Sequence, residues 1–471
     1  MSKKQFLTLF FVILLGLQLM AQGLSGPPEY VLTTSPSQVN SLSHGHGLNV
    51  KSTVWQHPSY GYAIYLVTDP SGRDPNQLQA QLGADSATIS FEPNQVIQLP
   101  ELSGTTSAAL AQSTESILDS LPGRTIVSFN GVSVPSNYVQ QPATTIIRWN
   151  EALTTSGLTG AGTVAVIDTG VDIHHPALAG VLVRGYDFTR NLAGGSEMAD
   201  ISPDASASLS QSTESILDSN RVSQLSSSTL AILTQSTESI LDGTPPAFGH
   251  GTMTAGLVHL IAPTAKIMPL KAFNADGASD TASIVRAIYY AADHGANIIS
   301  MSFELVQESS SLAGALDYAQ DHGLVTVAAA GNDAWPTAVY PAAGESVIGV
   351  GSTNNRDQRS SFSNFGSPDV ILAAPGEGVI STYPGNNYAA GWGTSFSAPM
   401  VAGAAALIFQ EHRTNVQCFT IMALAHAVQV PQMGYGRIDL YQALMAKDPI
   451  PGFQDISCEP GRRDGDRKRP D

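Results

Sequence analysis

Between Thr163 and Asn332 the chain repeats one pattern: a short run that is apolar along its whole length, then a stretch with helical spacing. The runs "TVAVID" (163–168), "AKIMPLKAF" (265–273), "NIISMSF" (297–303) and "LVTVAAAGN" (324–332) alternate with "TMTAGLVHLI" (252–261), "ASIVRAIYYAADHG" (282–295) and "LAGALDYAQDHG" (312–323). A strand without a polar face has to be covered on both sides, and a strand–helix–strand rhythm joins its strands in parallel. The fold class that follows is α/β, a mostly parallel sheet with helices on both faces. Functional groups on such sheets gather beyond the carboxyl ends of the strands.

That region is only part of a chain of 471 residues, which is long enough for two or three units. Ahead of it, from Gly61 to Glu101, "GYAIYLVTDP" reads as a strand and turn, "DPNQLQAQLGA" as a short helix and "ATISFEPNQVIQLPE" as alternating strand, together a small α+β unit. The first residues place Lys3 and Lys4 before an apolar run from Phe6 to Met20 and a small-residue exit at Ala21-Gln22-Gly23. This is the layout of a secretory signal peptide, and the run is shorter than the ~20 residues that span a bilayer. The organisation expected is a signal peptide at 1–23, a front segment and linker at 24–145, an α/β domain at 146–447 and a charged, solvated tail at 448–471.

The net charge of -17 argues against nucleic acid as a partner, because phosphates would be repelled over most of the surface. Cys418 and Cys458 are able to pair in an oxidising compartment, and neither lies in a context that activates a thiol. The imidazoles of His44 and His46 lack further ligands at suitable spacing, so no metal site is read there. The octapeptide "QSTESILD" begins at Gln112, Gln211 and Gln235. Its second and third copies sit in a Ser-, Ala- and Thr-rich insertion at about 190–247, each with a narrow apolar stripe such as Leu209, Ile216 and Leu217. The copies contain no base that would activate their hydroxyls. They read as duplicated sequence in tolerant loops, with a lid over a neighbouring cleft as the sharper alternative.

Three motifs carry chemistry: "VAVIDTGVD" with Asp168, "GHGTMTAG" with His250, and "GTSFSAPMVAGAAAL" with Ser395. Asp168 closes an apolar strand, whereas His250 and Ser395 each stand at the start of a helix. Acyl transfer needs this set: a serine hydroxyl is a weak nucleophile until an imidazole takes its proton, and the imidazole needs a carboxylate to set its tautomer.

These motifs resemble the three active-site signatures of the subtilisin-like serine peptidases, in the chain order Asp, His, Ser. "IAPTAKIMPLKAF", "HGANIISMSF", "VAAAGND", "YPAAGESVIGVGST", "SSFSNFGS" and "LAAPGEGVIST" are also similar to family text, so the likeness covers about 150–190 and 245–445. The resemblance implies an Asp168–His250–Ser395 triad and an oxyanion donor in Asn332. It implies backbone contacts to an extended substrate along Ser302, Phe303 and Glu304 on one side and Ala330 and Gly331 on the other. It further implies a secreted endopeptidase acting on polypeptides without a catalytic cofactor, monomeric and free of membranes once mature. The front segment resembles the family's propeptide, which inhibits the site until it is cleaved off. Structural calcium is common in the family; no site for it can be placed.

Two departures stand out. "SMSFELVQ" has Phe303, Glu304 and Leu305 where the family often has paired glycines, which points to a narrowed cleft, and Met253 replaces a second histidine. A non-catalytic adhesion protein would not require all four catalytic-type residues, and a lipid or ester hydrolase would present Ser395 in a GxSxG elbow. The G-x-G of "GLTGAGTVAV" precedes its strand, whereas dinucleotide binding requires it after one.

Overall fold

The computed structural model describes residues 26–100, 125–201 and 245–446, apart from 306, 337–338, 367–368 and 413–416. The segment expected to be a signal peptide, all three "QSTESILD" copies, Cys458 and the tail lie outside the described residues. The chain divides into two compact units, Met1–Asn94 and Gln95–Asp471.

The first unit is α+β, as its sequence pattern predicts, and it begins well ahead of Gly61. Its elements are β1 (Glu29–Thr34), α1 (Val39–Gly45), β2 (Asn49–Gln56), β3 (Ala63–Thr68), α2 (Pro75–Gly83) and β4 (Thr88–Pro93). The four strands form one antiparallel sheet in the order β2-β3-β1-β4. Helix α2 starts where it does because the Asp74 side chain accepts the Gln77 N–H at 3.0 Å and Pro75 takes the first helical position. Tyr30 stacks on Phe91 at 4.8 Å between centroids, over a core that includes Leu32, Leu78 and Leu82. The carboxylate of the fully buried Asp69 is held well below the usual carboxylate range by hydrogen bonds from Arg73.

The second unit contains β5 (Val96–Gln98), the hairpin β6 (Ile126–Phe129) and β7 (Val132–Pro135), and the short helices α3 (Ser136–Val139), α4 (Pro142–Ile146) and α5 (Trp149–Ser156). It continues with β8 (Thr163–Asp168), β9 (Tyr186–Asp187), β10 (Leu192–Ala193), α6 (His250–Ile261), β11 (Lys266–Lys271), β12 (Ala278–Asp280), α7 (Thr281–Asp293), β13 (Ile298–Met301), α8 (Ser310–Asp321) and β14 (Val325–Ala329). It closes with β15 (Ile348–Thr353), β16 (Leu372–Pro375), β17 (Val379–Tyr383), β18 (Asn387–Gly391), α9 (Thr394–His412), α10 (Gln417–Leu424) and α11 (Leu440–Met445). This unit takes in residues 95–100 and 125–145, which sequence pattern alone assigns to the front segment.

Eight strands make the main sheet, in the order β10-β9-β11-β8-β13-β14-β15-β16. Every pairing in it is parallel except the edge pair β10–β9. The fully apolar runs occupy its centre: all residues of β13 and β14 are buried. Helices α6 and α9 pack on each other and on the sheet, and α7 and α8 form a second pair. Side-chain caps set two of these starts: Asp280 accepts the Ser283 N–H at 2.8 Å and Ser309 the Leu312 N–H at 3.1 Å. All twelve residues of α6 are buried, which places it inside the unit rather than on its surface.

Candidate active site

Strand β8 ends on Asp168, and helix α6 begins on His250. The His250 Nδ1 lies 2.7 Å from Asp168 Oδ1, with both side chains almost fully buried. A carboxylate only accepts, so Nδ1 carries the proton and Nε2 is the basic nitrogen of the ring. Asp168 is held in turn by the Thr169 N–H at 2.7 Å and by the Thr254 hydroxyl at 3.1 Å. The glycines around His250 have steric reasons. Gly249 has φ +96°, and a methyl group there would strike the Tyr383 ring; one at Gly251 would strike the Gly170 carbonyl.

Ser395 is the second residue of α9 and is fully buried. Its hydroxyl donates to the Ser302 carbonyl at 3.3 Å, and the Ser302 hydroxyl donates to the Ser395 carbonyl at 3.0 Å. The neighbouring Phe396 ring lies 5.5 Å from the His250 ring, which brings the start of α9 against the start of α6. Asn332 follows β14. Its Oδ1 accepts both the Thr394 N–H and the Thr394 hydroxyl at 2.9 Å. A backbone N–H only donates, so the oxygen of the amide must face Thr394, and Nδ2 is left to donate elsewhere.

The segments expected to bind substrate are brought together. Ser302 lies on Ser395, and the Gly331 N–H bonds the Thr394 hydroxyl at 3.2 Å. The Ala330 carbonyl accepts the Asn364 side-chain amide at 3.0 Å. The Phe303 side chain is fully buried, its ring centroid 5.4 Å from that of Phe273. Glu304 is half-buried, with its carboxylate against Gly331, where a methyl group would overlap it. Residues 96–99 run beside Glu304 and the Gly277–Asp280 stretch. Strand β5 pairs antiparallel with β12, Gln98 bridges Glu304, and the Leu99 N–H bonds the Gly277 carbonyl at 3.0 Å. Ile97 and Leu99 are buried, whereas Val96 and Gln98 face outward.

One carboxylate of the site has no sequence signature. Glu197 is fully buried. It accepts the Gly249 N–H at 2.8 Å, the Thr169 hydroxyl at 3.2 Å and the Thr252 hydroxyl. Burial pushes its pKa up to about 7, with the Thr252 and Gly249 hydrogen bonds and Lys271 acting in the opposite direction. Lys271, also fully buried, bonds the Thr169 carbonyl at 2.6 Å and Asp200 at 2.6 Å. Met253 is buried in the core, and its carbonyl accepts the Ser381 hydroxyl at 2.6 Å. His46 bonds Asp85 at 3.0 Å. Among the described residues no three His, Cys, Asp or Glu side chains gather as a metal site.

A parallel α/β sheet that presents Asp, His and Ser in this chain order, with an amide donor beside the serine, defines a serine hydrolase of the acyl-transfer class. The chain belongs to the subtilase family, peptidase family S8, whose pattern it matches over residues 160–428, more than half its length. It is 34% identical over 295 residues to the thermophilic serine proteinase of Bacillus sp. (strain AK1), covering 60% of this chain and 61% of that protein. It is 33% identical over 261 residues to thermitase of Thermoactinomyces vulgaris, covering 53% and 76%. It is 39% identical over 179 residues to subtilisin DY of Bacillus licheniformis, covering 35% and 65%. The chain thus spans about three fifths of the first of these relatives and three quarters of the second.

Proposed function

We propose that the chain is a secreted serine endopeptidase that hydrolyses polypeptides and is held inactive by its own front segment until that segment is removed. The observation that carries the reading is the buried 2.7 Å bond between His250 and Asp168 beside Ser395 and Asn332. In the reaction His250 Nε2 takes the Ser395 proton as the hydroxyl attacks the peptide carbonyl, and Asp168 stabilises the imidazolium that forms. Asn332 Nδ2 meets the oxyanion, a charge that exists only from the attack onward. His250 then returns the proton to the leaving amine, and water repeats the sequence on the acyl-enzyme.

Inhibition by the front segment is supported by residues 96–99, which run extended between β12 and Glu304, the edges along which a substrate backbone would pair. Secretion is supported by the leader at 1–23, and no helix among the described residues is long and apolar enough to cross a membrane. Intact-mass analysis of wild type beside Ser395→Ala, before and after incubation with a denatured protein, tests both parts. Wild type is expected to lose its front segment and degrade the substrate while the variant does neither. Degradation by Ser395→Ala would end the reading.

A further inference from the structure

Glu197 is bonded to the backbone N–H just before His250, to the hydroxyl two residues after it, and to the hydroxyl one residue after Asp168. These groups belong to the two elements whose relative placement makes the Asp168–His250 bond. Both threonine oxygens already accept a backbone N–H, Thr169 from Gly251 at 3.0 Å and Thr252 from Asp172 at 2.7 Å. Each therefore directs its own proton at the carboxylate, and all three contacts to Glu197 are donors. Such a site suits an ionised carboxylate, which only accepts; a protonated one has to turn a threonine away and lose a bond.

We propose that Glu197 is a positioning residue whose ionised carboxylate locks the first turn of α6 onto the end of β8, so that turnover requires Glu197 as well as His250 to be unprotonated. The proposal rests on the serine-peptidase reading above. The charged groups around it are Asp168 at the end of β8, Lys271 on β11, and Asp200, which Lys271 and Arg190 both bond; His250 on α6 begins one residue past Gly249. Burial in that set places the proton on Glu197 as pH falls through about 7, within the range where a serine peptidase works.

The test uses the purified active chain and a chromogenic peptide substrate, with kcat and KM measured from about pH 5 to about pH 9. Glu197→Gln should lower kcat about 10- to 100-fold at the alkaline end and leave KM unchanged. The deficit should shrink toward none at the acid end, where wild-type Glu197 is itself protonated. A deficit of equal size at every pH, a deficit carried by KM, or no deficit overturns the proposal. Should Glu197→Gln fail to fold, wild type alone decides: below neutrality log kcat should pass through a stretch with a slope clearly above about one before returning to the single-proton slope, and a slope of about one throughout overturns it. Activity that survives Ser395→Ala identifies a failure of the peptidase reading instead, and the positioning role falls with it.

Discussion

The two halves of the active site are held together by different means. Around Asp168 and His250 the ties are charged and buried: Glu197, Lys271 and Asp200 interlock behind the acid–base pair. Around Ser395 and Asn332 they are neutral: Thr394 bonds the Asn332 side chain, Ser302 and Ser395 each donate a hydroxyl to the other's carbonyl, and the Asn364 amide donates to the Ala330 carbonyl. Charged ties in a dry interior are strong when complete and costly when one member is lost. Neutral ties to backbone change little with pH. The first half is therefore where pH acts, and the second is where geometry is kept constant.

The largest effect should come from breaking the neutral half at its nucleophile: Ser395→Ala is expected to lower kcat by about 10⁴-fold or more, read as turnover of a peptide substrate. Asn332→Ala should lower kcat by ~10²–10³, the range general to oxyanion donors, with little change in KM. An unchanged rate would remove Asn332 from the site. Glu304→Gly clears the carboxylate from Gly331 and should raise kcat/KM for substrates with a bulky residue before the cut by about tenfold, measured against a small-residue substrate in the same assay.

The mildest test concerns α6 itself, which begins in the charged half and ends in an apolar one. His259, two and a half turns beyond His250, is fully buried, and neither ring nitrogen has a hydrogen-bond partner among the described residues. Burial lowers its pKa to about 4. A histidine depressed in the folded state binds its proton first when unfolded, so stability is intact above about pH 6.5 and declines as pH falls toward about 4, by on the order of 3 kcal/mol in total. His259→Leu should flatten that decline in Tm between neutral and acid pH. An unaltered decline would place the acid-labile group elsewhere.

Asp168, His250 and Ser395 stood out in the sequence because acyl transfer dictates the residue types and the sheet dictates where they stand, whereas Asn332 entered only through the resemblance to the subtilisin-like peptidases. The central strands were legible for a related reason: a strand buried on both faces has no polar positions to blur its pattern. Glu197 carries no such mark. It lies 53 residues before His250 in a loop, as its hydrogen bond to Gly249 spans 52, and a glutamate in a loop looks the same whether it faces water or a triad. Strand β2 was hidden because six of its eight residues are exposed and its register shifts twice, which removes the alternation that identifies a half-buried strand. The burial of the Phe303 side chain was not legible from its position in the motif.

The two hydrogen bonds from Thr394 to Asn332 Oδ1 have a further consequence. Thr394 is bonded covalently to Ser395, so Ser395, the proposed nucleophile, and Asn332, the proposed oxyanion donor, are tied as one body. When the start of α9 drifts in thermal motion, Asn332 drifts with it, and the separation between attacking oxygen and stabilising amide changes far less than the position of either. An error shared by both parts of an instrument cancels in their difference, and it is the difference that the tetrahedral intermediate feels.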